Sequence, residues 1–226
     1  MNRIKALLFD CDGVLLDSEP LGCRALAEAV TAAGRPMTFA EARQVFSGCA
    51  AEDSRAWMAR EGLEAAEVFA ESDEILFRMF ASSIPLIPGI EAVLRDFPLK
   101  MAICSNASHR RLAVSVCRTT IASRFGPHIY SADHVEKPKP APDLALHACR
   151  ELGVAPHEAL FIDDNFHGIH CAKAAGCLAV GFVGPSDDRP GHDRALWEAG
   201  ADHVVHGIAE FQNLLRTLTI KILEDA

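Results

Sequence analysis

The chain has 226 residues, half of them apolar, and a formal net charge of −9. That length is long for one simple domain and short for two, so a core domain with one sizeable insertion is expected. The acidic balance, without a stripe of Lys and Arg, excludes nucleic acid and anionic membrane surfaces as general partners, and an anionic substrate would need its own local positive site.

The first predicted element is a strand over Ile4–Phe9, too short for a signal-peptide core and running straight into charge at Asp10. No apolar run approaches the ~20 residues of a membrane helix. A soluble, cytoplasmic protein, monomeric or weakly dimeric, is expected. From Asp17 to Leu86 the pattern changes. No convincing strand appears, and helical spacing marks Pro20–Ala33, Phe39–Phe46, Glu52–Arg60 and Ala65–Ala81. Thr38 and Glu41 have the spacing of a capping box, and Asp17–Ser18 is a natural helix start. Pro85, Pro88 and Gly89 then make a stiff hinge. Residues 17–86 are assigned to an all-helical inserted domain, and residues 1–16 with 87–226 to the core.

Further strands are predicted at Met101–Cys104, His128–Tyr130, Ala159–Ile162 and Leu178–Val183, separated by helical segments. The alternation predicts an α/β fold, a doubly wound parallel sheet covered on both faces, with the all-helical domain inserted after the first strand. Gly153 and Gly176 stand where left-handed helix caps belong. The eight cysteines form no CxxC pair and no zinc spacing, and read as reduced core residues.

In open parallel sheets, ligands bind beyond the carboxyl ends of the strands. The residues there are Asp10 and Asp12 after the first strand, Ser105 and Asn106 after the second, Lys137 to Asp143 after the third, and Asp163 and Asp164 after the fourth. Such a carboxylate cluster repels itself without a cation, and an all-oxygen site suits Mg²⁺. A strand-end carboxylate can attack phosphorus, and a second one two residues on can protonate the leaving oxygen. Gly13 would turn the loop so that backbone N–H groups face an anion.

Each feature has a plainer alternative. Asp10 and Asp12 fit a surface turn, Ser105 fits a cap for a helix starting near Ser108, and Lys139 fits a solvated lysine. Asp163 and Asp164 have no evident packing role. The conjunction, in order and on one sheet edge, favours a site. His167 and His170, three apart on the following helix, fit a packing face better than a zinc site, and Cys11 should point into the core. No GxGxxG and no GxxxxGK[ST] occurs, so a dinucleotide or P-loop reading fails.

These segments resemble the signatures of the haloacid dehalogenase superfamily of phosphotransferases. They are DCDGVLLDS from Asp10, ICSN ending at Asn106, KPAPD from Lys139 to Asp143, and FIDDN with Asp163 and Asp164, followed by Gly168 and Gly176. The chain is similar to the branch with a helical cap after the first strand, which includes beta-phosphoglucomutase and sugar-phosphate phosphatases. The resemblance implies an aspartyl-phosphate mechanism with Asp10 as nucleophile and Asp12 as general acid and base. It implies Mg²⁺ held by Asp10, the backbone carbonyl of Asp12, and Asp164, with Asp163 acting through a water, and Ser105 and Lys139 on the phosphoryl oxygens. Lys139 is chosen over Lys137 because KPAPD reproduces the family spacing, with a helix beginning near Pro142.

Asn106, Gly22, Ser47 and Ala51 are the expected substrate-binding positions. Hinges at Asp17–Ser18 and Pro85–Gly89 would let Gly22 and residues 47–51 face Asp10 on closure. Mutases of the branch carry a histidine where Gly22 stands, and a lysine and an arginine where Ser47 and Ala51 stand. Dehalogenases lack an aspartate at the position of Asp12. The expectation is therefore a Mg²⁺-dependent phosphatase of a small phosphorylated metabolite, a sugar phosphate. The alternatives are a beta-phosphoglucomutase-like mutase, or a non-catalytic phosphoryl-binding module on the same fold.

Overall fold

The computed structural model describes residues 4–47, 49 and 51–220. The chain forms two compact units. One comprises the residues up to Asp17 together with those from Leu86 onward, and the other comprises Ser18–Pro85.

The core unit opens with β1 (Ala6–Phe9). The helical unit holds α1 (Glu19–Ala32), α2 (Phe39–Phe46), α3 (Ala51–Arg60) and α4 (Ala65–Ser82). Its core gathers Phe46, Met58, Leu76 and Phe80. Thr38 caps α2 by accepting from the Glu41 N–H at 3.2 Å. Ser18 stands before α1 but makes no side-chain capping bond, so the helix start there rests on Pro20 in its first turn.

The chain returns to the core through Leu86, which pairs antiparallel with Leu16, while the Ile87 N–H donates to the Leu15 carbonyl at 2.9 Å. There follow α5 (Ile90–Asp96), β2 (Lys100–Cys104), α6 (His109–Val114), β3 (Ile129–Tyr130) and α7 (Asp143–Leu152). The chain ends with β4 (Ala159–Asp163), α8 (Phe166–Ala175), β5 (Leu178–Val183), α9 (His192–Glu198), β6 (His203–His206) and α10 (Gly207–Ile220).

The six strands form one parallel sheet in the order β3-β2-β1-β4-β5-β6. All four residues of β1 are fully buried, as a parallel strand covered on both faces requires. Leu8 and Phe161 pack with Ala145 and Leu152 on one side. Phe9 points to the other, edge-on to Phe125 and Phe211 at centroid distances of 5.9 and 6.2 Å. The strand order reverses direction about β1 and β4, which places the ligand crevice at their carboxyl ends.

Periodicity missed β6, a half-exposed edge strand of four residues with histidine at both ends, too short and too polar to register. The helix expected to begin near Pro142 starts at Asp143, with Pro142 as its N-cap. Six cysteines are buried, but Cys49 and Cys117 are exposed, because each falls outside the apolar stretches that carry the others. Gly153 and Gly176 take the left-handed caps expected of them. Among the described residues no helix is long and apolar enough to cross a membrane.

Helix α8 crosses directly over the end of β4. A Cβ on Gly168 would lie 1.8 Å from an Asp163 carboxylate oxygen, so only glycine permits this approach. Gly168→Ala is expected to cost about 1–3 kcal/mol by overpacking, read as a lower urea midpoint at unchanged slope; an unchanged midpoint would contradict the packing argument.

Candidate active site

Because Phe9 pairs with Ile162 in the ladder, the next residues, Asp10 and Asp163, emerge side by side. The Asp10 N–H donates to the Ile162 carbonyl at 2.9 Å, which fixes the backbone of the first carboxylate. Asp10 is 7% exposed and Asp163 is 1% exposed. Two carboxylates at that depth need a cation, and Lys139 supplies it. Its Nζ donates to Asp10 Oδ1 at 2.6 Å and to Asp163 Oδ2 at 2.7 Å. Lys137, two residues earlier, is exposed.

Burial pushes the Asp10 carboxyl up to about 7; Lys139 pulls it down, and Asp163 adds to the rise. For Lys139, burial alone would favour the neutral amine. The two carboxylates more than offset this and hold it well above its ordinary value, so it carries its charge.

Asn106 sets the position of that lysine. Its Nδ2 donates to the Lys139 carbonyl and its Oδ1 accepts from the Lys139 N–H, both at 2.9 Å. Sequence reasoning assigned Asn106 to substrate binding; the structure shows both ends of its amide engaged on the lysine backbone. Ser105 is 2% exposed, and its Oγ accepts from the Ala107 N–H at 3.1 Å, an arrangement that leaves the hydroxyl proton to donate elsewhere. The helix expected near Ser108 is α6, and its N-cap is Ser108 itself rather than Ser105.

Gly13 has φ of 81°, and a Cβ there would lie 2.5 Å from the Asp164 carboxylate. The turn and the close approach both require glycine. Its own N–H closes the turn by donating to the Leu16 carbonyl at 2.8 Å.

Asp10, Asp163 and Asp164 each present an oxygen, all within 4.8 Å of one another. An all-carboxylate donor set of this size fits Mg²⁺, which keeps several waters or substrate oxygens in its shell. The Asp12 side chain lies outside this group. It is about a third exposed and pairs with Arg111 Nη2 of α6 at 3.3 Å. His167 and His170 are not among these ligands, and His167 Nδ1 lies 2.9 Å from Asn165 Oδ1.

The remaining expected positions belong to the helical unit. Gly22 lies inside α1 and Ala51 opens α3. Ser47 follows α2, and its hydroxyl donates to Glu19 of the same unit. Gly48 and Ala50 of that loop lie outside the described residues.

Sequence reasoning missed Arg111 and Arg189. Arg189 Nη2 lies 3.2 Å from Asp164 Oδ2. The strand-end rule, applied to β5 as it was to the other strands, leads straight to the loop that carries Arg189. Together with Lys139, the two arginines give every carboxylate of the site a cationic partner.

A family model described as haloacid dehalogenase-like hydrolase matches residues 4–176. Among curated proteins, the chain is 32% identical over 228 residues to N-acetylmuramic acid 6-phosphate phosphatase of Pseudomonas aeruginosa, covering 94% of this chain and 95% of that one. It is 26% identical over 193 residues to 6-phosphogluconate phosphatase of Escherichia coli K12, covering 84% and 87%. Among solved structures, a conserved haloacid dehalogenase-like protein of unknown function from Agrobacterium tumefaciens superposes with a TM-score of 0.82 at 32% identity. That match covers 97% of this chain and 99% of the other.

Lys139→Ala leaves two buried carboxylates without their cation and is expected to cost about 3–5 kcal/mol of stability. Exposed Lys137→Ala should stay within about 0.5 kcal/mol. The Lys139→Ala penalty should be larger at pH 8 than at pH 5.5. Asp10, whose folded pKa is raised, destabilises the folded state when ionised, and protonation relieves it. Equal urea midpoints for the two variants would contradict this assignment.

Proposed function

The chain belongs to the haloacid dehalogenase-like hydrolases and is a phosphoric monoester hydrolase, and from that premise we propose a Mg²⁺-dependent phosphatase of a small phosphorylated metabolite, a sugar phosphate, that works through an aspartyl-phosphate on Asp10. The observation that carries this reading is Lys139 bridging the buried Asp10 and Asp163 beside Asp164. A structural ion pair needs no third carboxylate at that point, whereas phosphoryl transfer needs a nucleophile, a cation site and a fixed positive charge together.

Lys139 holds one oxygen of Asp10, leaving the other to attack phosphorus in line with the departing alcohol oxygen. Asp12, nearer to solvent, donates a proton to that oxygen as its bond to phosphorus breaks. In the second half-reaction Asp12 takes a proton from water, the water oxygen bonds to phosphorus, and the Asp10 carboxylate leaves. The Ser105 hydroxyl and the Lys139 ammonium would hold the phosphoryl oxygens through both steps. Asp10, Asp163 and Asp164 would hold Mg²⁺, which when bound neutralises charge on the phosphoryl group. Asp12 would add its main-chain carbonyl to that set.

The relatives named for N-acetylmuramic acid 6-phosphate and 6-phosphogluconate support a sugar phosphate as substrate class. In the helical unit, Gly22, Ser47 and Ala51 offer no cation for a second phosphate, which supports transfer to water over transfer to a sugar hydroxyl.

Phosphate release from a panel of phosphorylated sugars with Mg²⁺ tests the reading, and chelation by EDTA should abolish it. Asp10→Asn is expected to remove turnover. Asp12→Asn should lower kcat for sugar phosphates by about 10²–10⁴-fold and much less for an aryl phosphate, whose leaving oxygen needs no proton. Equal losses on both substrates would remove Asp12 from acid–base work. With a hexose 1-phosphate and a trace of bis-phosphate, faster formation of the 6-phosphate isomer than of free phosphate would overturn the hydrolase.

A further inference from the structure

Loop 184–191, after β5, reaches back to the site. Asp187, its side chain only 4% exposed, accepts from Arg189 Nε at 2.8 Å and from Nη2 at 2.7 Å. The same Nη2 lies 3.2 Å from Asp164 Oδ2 and 3.5 Å from the Asp164 carbonyl oxygen. His192 Nε2 sits 2.7 Å from that carbonyl. A carbonyl can only accept, so this ring nitrogen carries the proton. Arg189 and His192 are largely covered, with side chains 15% and 10% exposed. The loop is itself tied down, since Ser186 Oγ donates to Asp17 Oδ2 at 2.8 Å.

We propose that Arg189, oriented by Asp187, is a positioning residue that holds one oxygen of the Asp164 carboxylate so that the other is presented to a divalent cation. The proposal rests on the reading of Asp164 as a metal ligand. An arginine beside a metal ligand would ordinarily oppose the incoming cation. Here Asp187 takes two of its N–H groups and offsets its charge, so the net contribution to the site is orientation. A clasp serving only the loop would be complete with the Arg189–Asp187 pair and would need no contact with Asp164. Hydrogen-bond partners of metal-ligating carboxylates fix their geometry, and their loss typically weakens metal binding about 10–100-fold.

Calorimetric titration with Mg²⁺ alone tests this on the unmodified protein and on Arg189→Ala, Arg189→Lys, Asp187→Asn and Asp164→Asn. Arg189→Ala should raise the Mg²⁺ Kd about 10–100-fold. Arg189→Lys should not restore it, because an ammonium keeps the charge and lacks the planar fork that serves two carboxylates at once. Asp187→Asn should weaken binding in the same direction, and it decides the matter if circular dichroism shows Arg189→Ala unfolded. An unchanged Kd in these variants overturns the proposal, and a tighter one shows Arg189 acting as a repelling charge. If the unmodified protein and Asp164→Asn bind Mg²⁺ alike, the reading of Asp164 as a ligand fails, and the clamp fails with it.

Discussion

The contact on which the rest of the site depends is the Lys139 ammonium between Asp10 and Asp163. Two carboxylates brought together by adjacent strand ends at that depth cannot both stay ionised without a cation. Several features of the core unit follow from the need to place it. Strand pairing of β1 with β4 sets the carboxylates side by side. Asn106 takes both backbone groups of Lys139 and so transfers the rigidity of β2 to a proline-rich loop. Gly168 and Gly13 let a helix and a turn approach Asp163 and Asp164 more closely than any side chain would allow.

Around that centre the exposure is graded. Asp10 and Asp163 are sealed with Lys139, while Asp12 is about a third open and shares its charge with Arg111. The division suits the two roles assigned to them. A nucleophile gains from a water-poor setting, where fixed charges act strongly on a transferring phosphoryl group. An acid that must become a base for water needs access to water. Asp164, partnered by Arg189, completes the set without a bare carboxylate.

Much of this was legible in the sequence because it is local. The strand ends of β1, β2 and β4 are marked by abrupt passage from apolar residues to Asp10, Ser105 and Asp163, and in a parallel sheet those ends share one edge by construction. The choice of Lys139 over Lys137 rested on the resemblance of KPAPD to the family signature. What escaped was set by distance in the chain. The hold of Asn106 on the Lys139 backbone was not legible because the two lie 33 residues apart. Arg111 lies in a helix of ordinary polar composition that only the fold brings to Asp12, and Arg189 lies in the loop after β5, a strand end to which the rule was not applied. β6 failed to register because an edge strand of four residues carries too little apolar pattern to stand out.

The central claim is that Asp10 carries the phosphoryl group between the two half-reactions. Acid quenching during turnover of a substrate found in the phosphate-release panel, followed by borohydride reduction, converts an aspartyl-phosphate into homoserine at the same position. The account predicts homoserine at residue 10 in the mapped peptide and none in the Asp10→Asn protein. Turnover that leaves residue 10 unreduced, with homoserine mapped elsewhere or absent, would contradict it.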